Sequence, residues 1–509
     1  MMQQPLMGSE TEYGLVPIKP LLREWSILDH IQKEILGRAN FQDSIELREL
    51  ASSVNWWEED LNLSELEKKP ELISDVLRRM GVTGNYLANG ARFYIDGSHL
   101  EYSTPECSDP LELVAHERAG ERIVWNALKQ TELATGEKAY LLKRNWDYHK
   151  VSYACHENYL VSRGLFQALT ERSNQIYLSD AEKKIWVTHL ISRQIYTGSG
   201  RLDPELSWPD SYSLSQRQPF IQHLEAVDTT RQRAIINTRD RPYADHRYWA
   251  RLHVICGDSN RSDWSNALKY GISRLILLML DESEKKFYSA FWGYLDNPVE
   301  SFREIKSWES DVWKDFQKVT ALSAQRTILH LLRDWHRWRE EEGRPVSWAN
   351  REMDRLQLTL DLLEKDSDSL SGLLDYNIKR KIFEERLSQP NLKKDTLEKL
   401  DFSYHLVGPN SLFERLLETD RAVTLVEREA ISVSEVTPPK GRPELRKKIS
   451  EALQGRIDNR SWHFITAREG ERSAMIRLTD PFGRAAFCDN PEIRKLLKNL
   501  VLGEEGSER

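Results

Sequence analysis

Residues 89–107 read NGARFYIDGSHLEYSTPEC and contain the most informative pattern in the chain. Residues 91–96 predict a β-strand, which ends at the small residues 97–98. Because successive side chains of a strand point to opposite faces, this strand has an apolar face and a polar face. The polar face carries Arg92, Tyr94 and Asp96. We therefore expect one face to pack against a core and the other to carry chemistry.

Further polar side chains follow this strand. They are His99, Glu101, Thr104 and Glu106. A cation, a general-base candidate and several carboxylates are thus close together in the sequence. The planar fork of arginine suits phosphate recognition, and it keeps a neighbouring carboxylate ionised. An edge strand with a ladder of surface ion pairs would give the same pattern, and that alternative stays open here.

A second predicted strand, residues 6–16, contains the sequence GSETEYG at 8–14. Its two-residue period puts Glu10 and Glu12 on one face. Two adjacent carboxylates repel each other unless a divalent cation lies between them or both face water. Mg²⁺ prefers oxygen ligands of this kind. The pair therefore predicts either a magnesium site or a solvated polar face.

Weaker candidates occur later in the chain. His156 lies in CHENYL at 155–160, Arg239 lies in NTRD at 237–240, and His253 follows Arg251. These groups suit phosphate binding, but a hydrogen-bonded structural histidine or a buried ion-pair network would have the same composition. The chain has no GxxxxGK[ST], GxGxxG, HExxH or GxSxG motif, which argues against the common enzyme classes that carry them.

Composition limits the function classes. The 509 residues predict a large domain with at least one satellite, and 39% hydrophobic with 30% charged residues is typical of a folded soluble protein. The 72 basic and 80 acidic residues give a net charge of -8, which argues against nucleic-acid binding. The four scattered cysteines predict neither a zinc site nor disulfides, and no secretion signal or membrane span is recognisable. We expect a cytoplasmic protein.

Local signals predict the organisation of the chain. Asp109, Pro110 and Glu112 predict the start of a long helix that ends at Gly136. Residues 21–80 are charged and predict mostly helix, with WWEED at 56–60 as a lid. Residues 302–387 also predict helices, one of them at 349–365. The Pro- and Gly-rich stretch 438–443 predicts a linker to a small tail containing a helix, a hairpin and a final helix.

Ordered blocks along nearly the whole chain resemble the Pup ligase and Pup deamidase/depupylase family, the proteasome accessory factor type. The blocks are GSETEYGL at 8–15, the 89–107 stretch, AGERI from 119, CHENYL from 155, SRQIYTGSGR from 192, LSQR from 214, IINTRD from 235, RLHVICGDSN from 251, LLDYNIKRK from 373, Trp462 and DPF from 480. The resemblance implies an α+β fold with a glutamine-synthetase-like twisted antiparallel sheet and packed helices. It also implies a catalytic domain at 1–436, with a long loop at about 17–88, and a small C-terminal α/β domain at 437–509.

The resemblance also implies roles for individual residues. Asp96 is the implied catalytic carboxylate. The implied Mg²⁺ ligands are Glu10, Tyr94, Glu101 and, as a further ligand, Glu12. The implied ATP contacts are Arg92, Thr104 and Trp462. His156, Arg239 and His253 are expected at the phosphate and substrate end of the site.

One block departs from the family pattern. Where the family usually reads INTRDEPHAD, this chain reads INTRDRPYAD, with Arg241 and Tyr243 in place of Glu and His. A charge is thus reversed beside the expected site. The substrate is then either an ordinary Pup tail or another peptide or modifier.

The resemblance implies an ATP- and Mg²⁺-dependent enzyme that acts on the C-terminal Gln or Glu of a Pup-like modifier and its conjugates. The long 17–88 segment and the spacing of DGSHLE at 96–101 favour a deamidase and isopeptide-cleaving depupylase. The ligase-like DPF tail supports the alternative, a ligase that joins the modifier to lysine. A second alternative is a degenerate, non-enzymatic binding protein, but Glu10, Glu101 and Asp96 are all present.

Overall fold

The computed structural model describes residues 6–18, 86–96, 99–136, 138–146, 152–170, 181–203, 205–229, 231–282, 287, 297–313, 319–390, 395–453, 455–469 and 472–501. The predicted lid at 56–60 and almost all of the predicted loop at 17–88 lie outside these residues. Across the described part of the chain, no helix is both long and apolar enough to cross a membrane.

The strands are β1 (Met7–Pro17), β2 (Arg92–Asp96), β3 (His99–Ser103), β4 (Ala139–Leu142), β5 (Cys155–Ser162), β6 (Arg201–Leu202), β7 (Tyr212–Ser213), β8 (His223–Ala226), β9 (Ala234–Asn237), β10 (Trp249–Val254), β11 (Asp311–Trp313), β12 (Val319–Thr320), β13 (Ile457–Arg460), β14 (Phe464–Glu469), β15 (Arg472–Arg477) and β16 (Phe487–Cys488). The main sheet has the order β2-β3-β1-β5-β10-β9-β8, and β4 also pairs with β1. Its pairs are antiparallel except β8 with β9, which are parallel. The predicted α+β class is confirmed.

The helices are α1 (Pro110–Thr135), α2 (Arg163–Thr170), α3 (Ala181–Ser192), α4 (Gln194–Thr197), α5 (Asp263–Asp281), α6 (Pro298–Glu304), α7 (Ala321–Glu341), α8 (Ala349–Lys365), α9 (Asp375–Leu387), α10 (Thr396–His405), α11 (Leu412–Glu418), α12 (Arg428–Ser434), α13 (Arg442–Ala452) and α14 (Pro491–Val501). The predicted helical region at 302–387 contains α7, α8 and α9. It also contains the short hairpin β11–β12, which the sequence did not predict.

One face of the main sheet is covered by helices. Alternate residues of β5 and β10, such as Tyr159, Val161 and Leu252, join a large apolar core with residues of α3, α5, α7 and α8. Phe93, Leu100 and Tyr102 pack in a second apolar cluster with residues of α1. The opposite face of β1, β2, β3, β5 and β10 is left for polar side chains.

The start of α1 has the predicted cap. Asp109 accepts a hydrogen bond from the backbone N–H of Leu111 at 2.7 Å, and Glu112 accepts one from the N–H of Ser108 at 3.0 Å. Gly136 ends the helix with a φ of 76°, a conformation that favours glycine. Local signals in the sequence therefore predicted both ends of this helix.

A close approach between α1 and the sheet requires glycine at position 120. A Cβ at Gly120 would lie 2.4 Å from the buried ring of Tyr102, whose hydroxyl is held by the side-chain amide of Asn89 at 2.9 Å. We predict that Gly120→Ala lowers the free energy of unfolding by about 1–3 kcal/mol, because overpacking outweighs the better helix propensity of alanine. Urea unfolding checks this value.

The control for this substitution is Gly164→Ala in α2. This glycine is exposed, and the nearest atom to an added Cβ is the Ser162 hydroxyl at 3.9 Å. Its replacement is expected to be neutral or stabilising. Equal stability of Gly120→Ala and the wild type would contradict the tight helix–sheet contact.

The C-terminal residues form a unit with its own small core. Helices α13 and α14 pack on the sheet β13–β16 through residues such as Leu445, Ile465 and Ile476. The predicted hairpin pairs Glu469 with Arg472. The predicted linker leads directly into α13, and Pro438 and Pro443 both lie against Gly90 of the larger unit. The domain boundary at 436–437 stays a prediction.

Candidate active site

Strand register brings the polar residues of distant segments onto one face of the sheet. Directly opposed residues of neighbouring strands share a face, and residues two apart in a strand do so as well. One row across the sheet is Arg92, Ser103, Glu10 and His156, the next is Tyr94, Glu101 and Glu12, and a third contains Gly8, Asn158 and His253. The period-two prediction for Glu10 and Glu12 and for Arg92, Tyr94 and Asp96 is confirmed.

Three carboxylates form a cluster at one end of this face. Oxygens of Glu12, Asp96 and Glu101 all lie within 4.8 Å of one another. Glu101 is only 1% exposed, and among the described residues its Oε2 has no hydrogen-bond partner. Burial, and then the charges of Asp96, Glu10 and Glu12, raise the pKa of Glu101 well above its usual range. An all-oxygen cluster with a buried, unpartnered carboxylate oxygen suits a hard divalent cation such as Mg²⁺.

Tyr94 lies beside this cluster as a hydrogen-bond donor. Its hydroxyl donates to Glu101 and lies 3.3 Å from the Ser103 hydroxyl. Burial and the charge of Glu101 raise the pKa of Tyr94 well above its ordinary value, so the phenol stays protonated. Tyr94, which the family pattern associates with the metal, thus orients the Glu101 carboxylate.

Glu10 belongs to a second cluster, with His156 and His253. Its carboxylate lies 3.1 Å from His156 Nδ1 and 3.4 Å from His253 Nε2, and it accepts a hydrogen bond from Asn158 at 3.1 Å. Burial opposes ionisation of Glu10, but the surrounding histidines and Arg251 hold its pKa well below its usual range. The sequence did not predict that Glu10 and the three carboxylates would separate into two clusters.

His253 is buried, and its Nε2 faces the Glu10 carboxylate at 3.4 Å. Burial and the charge of Arg251 lower the pKa of His253 to about 3, so its ring is neutral. Neither ring nitrogen makes a hydrogen bond to any residue that the structure describes. Its ring packs edge-to-face on His156 with the centroids 4.7 Å apart. A neutral imidazole beside a carboxylate suits a ligand at this end of the face.

Arg251, to which the sequence analysis assigned no specific role, also belongs to this site. Its guanidinium donates to Glu10 at 3.1 Å and to the side-chain oxygen of Asn158 at 2.5 Å. Arg251 precedes His253 by two residues in β10, so the strand period was the signal that would have identified it.

An open cleft adjoins the Glu10 end of this face; the space within it, open solvent included, is about 600 Å³. It is called the cavity below. Its lining includes polar residues, among them Glu10, Thr104, Glu106, Arg251 and Arg442, and apolar or aromatic residues, namely Leu6, Pro242, Tyr243, Trp462 and Pro481. A lining that mixes aromatic and polar side chains suits a ligand that has a base and a phosphate chain.

The predicted nucleotide residues have different positions in this cavity. Thr104 and Trp462 line it. The Thr104 hydroxyl oxygen accepts a hydrogen bond from the Ser9 N–H at 2.9 Å, which leaves its proton available for a ligand. Arg92 does not line the cavity, and its guanidinium lies 4.1 Å from the centroid of the Tyr94 ring with Nε buried and unpartnered among the described residues.

The two residues that depart from the family pattern lie at the rim. Tyr243 has a φ of 47°, and its ring lies 5.2 Å from the Arg251 guanidinium. The side chain of Arg241 is exposed, and its carbonyl accepts a hydrogen bond from Arg251 at 3.0 Å. Arg239 is half-buried nearby, and burial together with the charges of Arg241 and Arg251 lowers its pKa. Positive charge therefore accumulates at this rim.

A model of the family described as Pup-ligase protein matches residues 5–466. A Pup–protein ligase of Bifidobacterium longum is 30% identical over 433 residues, covering 81% of this chain and 85% of the relative. A Pup–protein ligase of Mycobacteroides abscessus is 32% identical over 426 residues, covering 80% of this chain and 86% of the relative. A depupylase of Acidothermus cellulolyticus is 30% identical over 494 residues, covering 93% of both.

Two solved structures are also similar. The crystal structure of the complex between the prokaryotic ubiquitin-like protein Pup and its ligase PafA matches with a TM-score of 0.73 and 27% identity, covering 98% of this chain and 93% of that one. The structure of the Pup ligase PafA in complex with ADP matches with a TM-score of 0.69 and 28% identity, covering 90% of this chain and 97% of that one.

Proposed function

The chain belongs to the Pup-ligase family, and on that premise we propose that it is an ATP- and Mg²⁺-dependent enzyme that joins the terminal carboxylate of a Pup-like modifier to a lysine amine. The observation that carries the proposal is the juxtaposition of an all-oxygen carboxylate cluster with a cavity lined by both aromatic and polar residues on one face of the sheet. The relatives named ligases, and the two PafA structures, support this direction of reaction.

In this proposal Glu12 and Glu101 hold Mg²⁺, with Tyr94 orienting Glu101 and Glu10 contributing at the phosphate end. The ion supplies charge neutralisation to the transferring phosphoryl group. Without a cation, the cluster brings three carboxylates together around a buried, unpartnered oxygen. An arrangement of that kind is costly unless positive charge compensates for it.

The nucleotide base is proposed to lie against Trp462 and Tyr243, with its phosphates directed toward Thr104 and Glu10. Hydrogen-bond donors at the phosphate and substrate end come from Arg92, Arg239, Arg251, His156 and His253. Arginine suits this role because its planar fork matches phosphate oxygens. PafA in complex with ADP is the related structure that supports a nucleotide here.

Asp96 is proposed as the base that accepts the proton of the attacking lysine amine. It lies at the exposed end of β2, next to Glu12 and Glu101. Desolvation by the neighbouring residues, and then the charge of Glu12, raise the pKa of Asp96. A raised pKa makes the carboxylate a stronger proton acceptor while leaving it accessible to an incoming lysine.

Deamidase and depupylase activity is the second candidate. The sequence analysis ranked it first, on features at 17–88 and 96–101. Its specific support among the comparisons is the Acidothermus depupylase, which matches 93% of this chain. The same residues would serve: Asp96 would act on water or on the amide carbon instead of receiving the proton of an amine.

One assay separates the two reaction directions, ligation of the modifier and cleavage of its conjugate. Purified protein, MgATP, a Glu-ending Pup-like modifier and a lysine-containing acceptor protein are expected to give a conjugate, with one ADP formed per conjugate. Mass spectrometry of the branched peptide and ADP quantification measure the two products.

The control uses the purified conjugate as substrate with ADP and phosphate. Rapid cleavage of this conjugate, or ammonia release from a Gln-ending modifier with ATP persisting over many turnovers, would establish the depupylase/deamidase direction and contradict the ligase proposal.

A further inference from the structure

A single carboxylate joins the C-terminal unit to the cavity wall. Glu106 follows β3, and in the sequence it is one of the polar residues that follow the predicted strand at 91–96. In the structure it accepts hydrogen bonds from Arg442 Nε at 2.8 Å and from Arg446 at 2.7 Å. Both arginines belong to α13, more than 330 residues later in the chain, since the contacts span 336 and 340 residues. Glu106 is therefore a contact between the two units.

The same two arginines hold the backbone of the cavity's aromatic residues. Arg442 donates to the carbonyl of Tyr243 at 2.5 Å, and Arg446 donates to the carbonyl of Trp462 at 3.1 Å. Arg446 also donates to the carbonyl of Gly90 at 3.3 Å. Tyr243 and Trp462 line the cavity, and so do Glu106 and Arg442, whereas Arg446 is not among its described lining residues. A substitution at Arg446 therefore tests positioning without changing a group in the lining. The positions of both rings thus depend on where the arginine pair lies.

Glu106 supplies the charge that keeps this pair in place. Arg442 and Arg446 are 4% and 5% exposed. Burial opposes ionisation of Glu106, but the two guanidiniums outweigh it and lower its pKa to about 2. Without Glu106, two neighbouring buried cations would face each other uncompensated. Breaking a buried ion pair by removing one partner is strongly destabilising for this reason.

We infer that Glu106 is a positioning residue for the nucleotide: through Arg442 and Arg446 it holds Tyr243 and Trp462 at the spacing that the base requires. This inference rests on the proposed function. It assigns to the contact between the two units a role in nucleotide affinity and none in the chemical step, because the carboxylate cluster around Asp96 lies on the main sheet and involves none of these residues.

The test compares Glu106→Gln with a matched control, Glu282→Gln. Glu282 also joins two arginines, Arg339 at 2.8 Å and Arg344 at 3.2 Å, but it is not among the described residues that line the cavity. Both substitutions remove one carboxylate from an arginine pair and keep the side-chain shape. Both are therefore expected to lower the melting temperature.

Only Glu106→Gln is expected to change nucleotide binding. The Kd for MgATP, measured by calorimetry, and the KM for ATP should rise about tenfold or more, a change of about 1.4 kcal/mol or more. The kcat at saturating ATP should stay within about threefold of the wild type. Glu282→Gln should leave all three constants unchanged. A folded Glu106→Gln protein with wild-type affinity, or an equal rise in Kd for both variants, would overturn the inference.

A second variant covers the case in which Glu106→Gln does not fold. Arg446→Lys keeps the positive charge beside Glu106, but a lysine cannot reach Glu106, Trp462 and Gly90 with a planar fork. The same rise in Kd and KM is expected, and wild-type values in a folded Arg446→Lys protein would contradict the inference. Failure of the wild type itself to bind MgATP would instead contradict the proposed function, and this inference with it.

Discussion

Replacing Asp96 with asparagine is expected to lower turnover by at least about 100-fold, because general-base catalysis contributes about 10²–10⁴. Asparagine is nearly the same size and keeps one oxygen beside Glu12 and Glu101, but it can neither accept the amine proton nor attack an amide. The affinity for MgATP should stay within about threefold, since Asp96 does not line the nucleotide cavity. Single-turnover kinetics and calorimetry on the same preparation measure the two effects.

The control for this substitution is Asp245→Asn. Asp245 pairs with Arg247 in a loop and does not belong to the carboxylate cluster. Its replacement should leave turnover unchanged. If Asp96→Asn retained more than about a tenth of wild-type turnover, the loss of transition-state stabilisation would be under about 1.4 kcal/mol, and Asp96 would not be the central group.

Glu101→Gln is expected to have the second large effect, on magnesium-dependent nucleotide binding. The substitution neutralises a buried carboxylate whose Oε2 has no partner among the described residues. Loss of a group that only orients a metal ligand costs about 10–100-fold, so loss of the ligand itself should weaken MgATP binding by at least about 100-fold. Calorimetric titrations with Mg²⁺ and with EDTA measure the difference.

Tyr94→Phe provides the graded comparison. This variant removes the hydroxyl that donates to Glu101 but keeps every carboxylate. It should weaken MgATP binding by about tenfold, less than Glu101→Gln does. In EDTA the wild type and both variants should bind ATP equally weakly. Unchanged magnesium dependence in Glu101→Gln would contradict the metal assignment.

The parts of the site that sequence predicts well are those determined by local periodicity. The alternation of residues 91–96 placed Arg92, Tyr94 and Asp96 on one face, and the same rule placed Glu10 with Glu12. Strand β3 was not predicted, because it has only five residues and only two of them, Leu100 and Tyr102, are apolar or aromatic. Strand β3 places Glu101 opposite Tyr94 on one side and Glu12 on the other.

The parts that sequence does not predict depend on contacts between distant segments. In the sequence Glu106 is one more carboxylate close to Glu101. Its two arginine partners, Arg442 and Arg446, come from α13 and are known only from the structure. The separation of Glu10 from the three-carboxylate cluster likewise requires the positions of β5 and β10, which supply His156 and His253. No local pattern in the chain encodes either arrangement.

The sequence favoured a depupylase over a ligase, whereas the proposed function puts the ligase first. The depupylase interpretation used the 17–88 segment, whose structure lies almost entirely outside the described residues. The spacing at 96–101 brings Asp96 to Glu101, but both reaction directions require that arrangement. The ligases among the similar proteins therefore carry more information about direction than either feature does.

The most direct measurement is trapping of the activated carboxylate with hydroxylamine. Wild-type protein, MgATP and a Glu-ending Pup-like modifier, without any lysine acceptor, should form a hydroxamate at the terminal glutamate, with one ADP released per hydroxamate. This follows because phosphorylation of the carboxylate precedes amine attack in the proposed reaction. Mass spectrometry of the modifier and ADP quantification give both values. Absence of hydroxamate and of modifier-dependent ADP, in protein that binds MgATP and modifier, would contradict the proposal that this sheet face activates a carboxylate.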